Sequence, residues 1–481
     1  MEKGNGRKLS LIFIFILILL VIALLVGKLT FSYLGPTLGE DLSNEGEVTA
    51  SGDTLIFTKG SNLSLSATTD NFQTGGSNLS STTNPKVKLV ASSKTNSASA
   101  TYYVGVVINS NSYTYTTSDN TAEVILTIKD ENSNNVTSGV DGLTYVTSGG
   151  VSGFDVTGKT GLFNIKTDYP ISTTSSSTGT THTWTFTLTF VNLGTDQSDN
   201  ENASMDLDVY LQKEKILTLA EHVISQYTGS QGDDSLYYHN STLNNGAGDN
   251  SYRYAGASDS VNNYICLGSD ATTCPDANLF RIIGVFGDQT KVIRAKSVGD
   301  QKWHTSDSNT WSSSSLNTYL NGTYLTSLGT LKNKIATTTW KVGGGSWSNI
   351  GTSVPKTAYQ YEVGSNASST TYDAKIGLMY VTDYYYSASP SAWTLVGYNG
   401  SDATKDYRAA KTTNWLYLGS DEWTISRNSD TTSTAFCVNS TGFVSLDSVT
   451  ISYAVRPSFN LESSTTYVSG SGSMSDPVRI K

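Results

Sequence analysis

Charge is scarce in this chain. Of its 481 residues only 15% are Asp, Glu, Lys or Arg, against roughly 25% in an average soluble protein. The 31 basic residues are outnumbered by 41 acidic ones, for a formal net charge of -10. Basic side chains nowhere cluster or interleave with aromatics. Nucleic-acid binding is excluded on that ground, because phosphate recognition needs grouped Lys and Arg. Cysteine is limited to Cys266, Cys274 and Cys437, and histidine to the scattered His182, His222, His239 and His304. No second cysteine pair or nearby histidine completes four zinc ligands. There is no Gly-x-Ser-x-Gly elbow, no His-Glu-x-x-His helix and no phosphate-cradling loop; Gly343-Gly344-Gly345 runs into Ser346-Trp347 and reads as a flexible turn. Nothing singles out a carboxylate pair for glycoside cleavage. The expectation is a protein that is not an enzyme and holds no cofactor or metal.

What the chain has instead is Ser, Thr, Asn, 43 glycines and 28 tyrosines. Solubility through hydroxyls and amides is the habit of extracellular all-β proteins. Residues 9–26 are apolar apart from Ser10, and Lys3, Arg7 and Lys8 precede them. Such a run crosses a hydrocarbon core of about 30 Å at about 1.5 Å per residue, and the positive-inside bias keeps its N-terminal end in the cytoplasm. A cleaved signal peptide is the competing reading, but the run is long for one and no Ala-x-Ala-like site follows. Neither a lipobox cysteine nor a Leu-Pro-x-Thr-Gly sorting signal is present. The division expected is a cytoplasmic tail at 1–8, a signal anchor in the lipid bilayer at 9–29 and a stalk at 30–47, with everything beyond outside the cell.

Residues 48–213 carry nine short β runs, at 53–58, 62–67, 86–91, 102–109, 123–129, 143–146, 162–167, 182–191 and 205–211. The clearest is 182–190, where Trp184, Phe186, Leu188 and Phe190 alternate with threonines. Period two with Thr outward is a half-buried antiparallel strand. Strands at this spacing predict one immunoglobulin-like sandwich serving as a spacer. At 215–227, Ile216, Leu219, Ala220, Val223 and Ile224 form one helical stripe. With the polar run after it, 214–232 reads as a linker helix and hinge. His222 lies at the stripe's edge as an ordinary helix-face residue.

The remainder, 233–481, holds seven of the eight tryptophans. A hairpin is expected at 279–296 across Gly287-Asp288. A serine-capped helix should follow Trp311, with Leu316, Tyr319 and Leu320 on one face. An apolar strand is expected at 375–381. The end runs through a Trp423 strand, an Asn439-Ser440-Thr441-Gly442 turn and Ala454-Val455-Arg456-Pro457. This order resembles a domain of unknown function common in bacterial surface proteins. That family in turn is similar to the C-type-lectin-like fold of formylglycine-generating enzymes and phage tropism determinants. The resemblance implies an α+β domain in which Arg456 and Pro457 are structural, the guanidinium starting a core strand and binding several acceptors. Formylglycine-generating enzymes need a reactive cysteine pair near the C-terminus. Only Cys437 stands there, so the fold carries over and the activity does not. The Glu-Pro-Asn and Trp-Asn-Asp signatures of calcium-dependent sugar binding are absent.

Cys266 and Cys274 enclose a polar loop, which in an exported chain predicts a local disulfide, while Cys437 reads as a small buried hydrophobe. His304 is expected in an exposed loop. Tyr384, Tyr385, Tyr386, Trp393, Tyr398, Trp423, Arg427 and Asn428 form the candidate ligand face, being residue types that binding loops favour. The same aromatics read equally well as core. The architecture expected is a single N-terminal transmembrane helix, an all-β immunoglobulin-like sandwich and an α+β C-type-lectin-like head. Its function would be that of a membrane-anchored extracellular binding or adhesion protein meeting a glycan, cell-wall or protein ligand. A purely structural envelope protein is the alternative, and a cell-wall polysaccharide-acting enzyme the third.

Overall fold

Strand Thr185–Phe190 shows how threonine-rich alternation becomes a sheet. Phe186, Leu188 and Phe190 are fully buried, and the intervening hydroxyls pair across the strand boundary. Thr187 meets Thr82, and Thr189 meets Ser80, each with oxygens 3.0 Å apart. Such cross-strand pairs contribute about 0.2–1 kcal/mol each. In the computed structural model, residues 45–50, 52–229, 235–393 and 412–481 are described. The expected tail, anchor and most of the stalk lie outside these residues, as does Tyr398. Among the described residues no helix is long and apolar enough to cross a membrane.

The first region is β apart from single helical turns at Thr69–Phe72 and Ser198–Asn200; its strands occupy each of the nine runs expected, and Glu45–Ala50, Leu79–Thr83 and Val151–Asp155 are strands besides. They form three sheets. One runs in the order Glu45–Ala50, Asp53–Thr58, Lys86–Val90, Thr180–Thr183. A second runs Gly161–Thr173, Ala98–Asn111, Ser204–Gln212, Leu63–Ser66. The third runs Leu79–Thr83, Thr185–Phe190, Val124–Lys129, Val151–Asp155, Thr144–Ser148. The run read as a single strand at 182–190 therefore changes sheets at Trp184. The segment it pairs with does the same at Pro85, which cannot donate to a ladder; the Trp184 N–H bonds the Pro85 carbonyl instead, at 3.1 Å. Trp184 sits at this corner in a core of its own region's residues, from Leu55 to Val209.

A second core, from Leu219 to Val478, belongs to the C-terminal region. Its larger sheet joins Leu236–Tyr238, Tyr252–Tyr254, Leu279–Phe286, Gln289–Arg294 and Ser458–Leu461, with Tyr264–Cys266 also paired to Leu279–Phe286. Gly284 stands opposite Arg253, and a Cβ there would collide with the Tyr252 carbonyl, so the close strand approach requires glycine. The second sheet orders Asp300–Lys302, Ser452–Ala454, Glu422–Arg427, Thr434–Val438 and Val444–Ser448.

Helices are few and short. Leu219–Ser225 starts at a capping box: Thr218 Oγ1 accepts the Glu221 N–H at 3.1 Å, and Glu221 accepts the Thr218 N–H at 3.0 Å. Its Leu219, Ala220 and Val223 are part of the second core. The segment read as a linker and hinge thus packs as part of the head. Ser314 caps the helix Ser315–Tyr319, as its sequence predicts. The stretch 375–381 differs from the strand expected. Ile376, Leu378 and Met379 are buried, but only Gly377 bridges, to Ser458, and a helix begins at Val381.

Candidate functional site

The tyrosine triplet lies on the helix Val381–Tyr386, not on a loop. Two carboxylates hold its start. Glu362 accepts the N–H groups of Val381 and Thr382 at 2.8 Å, and Asp383 accepts that of Tyr380 at 2.8 Å. Negative groups there satisfy orphan donors and oppose the helix dipole. All three rings are at most 1% exposed. Their hydroxyls donate inward, Tyr384 to the Gly442 carbonyl at 2.7 Å, Tyr385 to Ile350 at 3.1 Å and Tyr386 to Asn245 at 3.2 Å. Trp393 and Trp423 are equally buried and donate to the Ala388 and Gln301 carbonyls. These five aromatics are core, which corrects their assignment to a ligand face: buried rings with internally satisfied polar tips have no surface to offer.

Beneath that helix is a buried ionic network that sequence reasoning missed. Asp383 Oδ2 lies 2.5 Å from Lys291 Nζ, and Asp383 Oδ1 lies 3.7 Å from Arg253 Nη1. Arg253 continues to Asp249 at 2.6 Å. Its guanidinium covers the Phe286 ring at 4.6 Å, and Lys291 lies 4.5 Å from the Tyr380 centroid. Burial drives the Lys291 pKa down, while Asp383 opposes the shift. Burial raises the Glu362 carboxyl, against its bonds to Ser426 and Thr382. Buried charges persist only when paired and hydrogen-bonded, and this network clamps the helix to the sheet. Its sequence signal was slight: a lysine inside the β-branched run 289–294 and an arginine between Tyr252 and Tyr254.

Arg456 is 3% exposed; it forks onto Glu422 and also donates to the Leu416 carbonyl. Pro457 is buried beside it, and its carbonyl accepts the Arg294 N–H at 3.0 Å.

Arg427 ends the strand Glu422–Arg427 and Asn428 follows it, where three loops meet. The Asn309 amide reaches the carbonyls of Asn428, Thr431 and Thr434 at 2.9, 2.9 and 2.8 Å. Arg427 Nε donates to the Gly343 carbonyl at 2.8 Å. Gly344 has φ +61°, and a Cβ on it would strike the Arg427 carbonyl, so the Gly343-Gly344-Gly345 turn is a fitted junction. The Trp347 N–H then bonds Asp430 Oδ2 at 3.0 Å, and the Trp347 ring stacks on Phe436. Asn428 is buried in an Asx turn, its Oδ1 accepting the Asp430 N–H at 3.0 Å. Arg427 and Trp347 remain half-exposed, and Asp430 is exposed. Of the residues foreseen for a ligand face, Arg427 alone keeps substantial surface among those described. Trp347 was missed, its signal being the tryptophan after the glycine run. His304, expected in the open, is 9% exposed, with Nδ1 accepting the Ser306 N–H.

Cys266 and Cys274 are joined as expected. Arg479 clamps the loop they close, donating to the carbonyls of Ser269, Ala271 and Thr272 at 2.9, 2.8 and 3.2 Å. Cys437 is free and buried, and burial pushes its thiol pKa far up. Among the described residues no three His, Cys, Asp or Glu side chains gather as metal ligands do.

No curated protein and no solved structure matches the chain. Residues 287–463, which include Lys291, Arg427 and Arg456, match the family model of a domain of unknown function, DUF6273.

Proposed function

We propose that this chain is a membrane-anchored surface protein of a bacterial cell. Residues 9–29 would hold it in the bilayer with the N-terminus in the cytoplasm. An immunoglobulin-like sandwich would carry a C-type-lectin-like head outside, where the head binds a glycan, cell-wall or protein ligand. The observation that carries the binding role is the three-loop junction, in which Asn309 and Gly344 pre-set the loops bearing half-exposed Arg427 and Trp347. A pre-set aromatic and an arginine on adjoining loops bind without a large ordering cost. The Cys266–Cys274 bridge supports the extracellular setting. A purely structural envelope role is favoured by one specific observation, the burial of Tyr384, Tyr385, Tyr386, Trp393 and Trp423. Binding of the whole chain to cell-wall preparations and host-cell surfaces separates the two. Trp347→Ala and Arg427→Ala should each weaken that binding at a temperature where both variants are still folded, beyond the lowering of the melting temperature expected from the lost stacking on Phe436 and the lost bond to the Gly343 carbonyl. Binding that is absent, or untouched by both changes, would leave the structural role.

A further inference from the structure

The sandwich region contains a groove of about 910 Å³, lined in part by Ser99, Thr101, Glu131, Thr180, His182 and Lys213. That volume lies in the range of small-ligand sites, about 300–1,000 Å³. Three of these side chains are set by partners behind them. The Trp184 indole N–H donates to the Tyr102 oxygen at 2.9 Å, and the Tyr102 oxygen lies 2.9 Å from His182 Nδ1. The indole N–H takes one lone pair of the Tyr102 oxygen, and the arrangement that also gives the buried Tyr102 hydroxyl an acceptor is donation to His182 Nδ1. Neutral His182 then carries its proton on Nε2. Burial lowers the His182 pKa and favours that neutral ring, although Glu131 pulls the other way. Glu131 accepts the Tyr169 hydroxyl at 2.8 and 3.0 Å on its two oxygens. Lys213 spends one donor on the Thr101 carbonyl at 3.1 Å, which leaves two of its three.

The groove thus offers one neutral N–H donor, one ammonium, one carboxylate and several hydroxyls, with no net charge. The flanking edges decide what it takes. An extended peptide would have to pair with Gly161–Thr173 or Thr180–Thr183, the outer strands of their sheets. Gly161–Thr173 is interrupted at Asn164/Lys166 and at Lys166/Tyr169, carries Pro170, and has Asp168 at φ +48°. Bulges, proline and charge block strand addition there, and Thr180–Thr183 has only four residues, too short an edge to hold a peptide by its ladder. A ligand bound through scattered hydroxyls suits the surface better.

We propose that this groove is a binding site for an uncharged saccharide, whose hydroxyls donate to Glu131 and accept from His182 Nε2 and Lys213. The region would then be more than a spacer, and the site is independent of the head's loop junction. The test presents the whole chain in detergent to immobilised chitohexaose, maltohexaose and cellohexaose, with saturation-transfer NMR on whichever is bound. Glu131→Gln, Lys213→Met and His182→Phe should each reduce that binding by about tenfold or more, since each removes a charge-assisted or fixed hydrogen bond. Circular dichroism melts establish that each variant is folded, and Glu131→Gln and Lys213→Met alter half-exposed side chains. Trp347→Ala should leave saccharide binding intact. The proposal is overturned if none of the three oligosaccharides binds, if folded groove variants bind as the parent does, or if Trp347→Ala alone abolishes binding.

Discussion

Arg456 and Glu422 meet as a two-pronged pair, Nε to Oε1 at 2.7 Å and Nη2 to Oε2 at 2.8 Å, inside the head. Their side chains are 3% and 1% exposed. Burial pushes the Glu422 carboxyl up even with Arg456 opposing it. Removing the arginine would therefore leave a buried carboxylate and the Leu416 carbonyl without their donor. Arg456→Ala should cost about 3–5 kcal/mol, and Arg456→Lys should not restore it, because one ammonium cannot reproduce the fork. Denaturant unfolding of the whole chain, followed in the near ultraviolet, measures both.

Tyr385 separates core from surface. Its ring is 1% exposed and its hydroxyl donates to the Ile350 carbonyl at 3.1 Å. Tyr385→Phe should cost about 1 kcal/mol for the lost hydrogen bond, and Tyr385→Ala about 3–5 kcal/mol for the cavity. An exposed tyrosine would show neither loss in thermal melts.

The disulfide gives a chemical test. Peptide mapping without reductant should return Cys266 linked to Cys274 and Cys437 as a free thiol. Replacing both paired cysteines by serine should lower stability by about 2–3 kcal/mol. Any crosslinked peptide containing Cys437 would contradict the assignment.

His222 makes stability depend on pH in a stated direction. Its ring stacks on Tyr467 with centroids 3.5 Å apart, and burial lowers its pKa from 6.5 to about 4. The unfolded chain takes up this proton near 6.5, whereas the folded chain waits until about 4. The contribution is complete above the upper value and is lost as pH falls through that window. For a half-buried ring the loss is about 1–2 kcal/mol. His222→Gln should be less acid-sensitive than the parent by that amount in urea unfolding at pH 7 and pH 4.5.

Local periodicity was legible and tertiary partnership was not. Phe186, Leu188 and Phe190 declare their strand, and Ser314 its helix cap, because the signal lies within a few residues. Thr218 and Glu221 likewise carry a capping box in the sequence itself. The switch of sheets at Trp184 depends on Pro85 across a gap of about a hundred residues, which no local window sees. Val381–Tyr386 has a local cap in Asp383, but two more of its N–H groups are held by Glu362, 19 and 20 residues away, a pairing no local pattern announces. Tyr384, Tyr385 and Tyr386 then turned inward, where composition alone had suggested a face. His182 stands two residues before Trp184, so its side chain shares that face of the chain. Only Tyr102, from another strand, reveals the relay.

Display of the head outside the cell is the central claim, and one measurement reaches it directly. Intact cells making the chain with a C-terminal tag are treated with protease, beside a cytoplasmic protein as control. The account predicts that the tag and the residues beyond the stalk are removed while the cytoplasmic control survives. A tag that stays protected until the membrane is opened would contradict it.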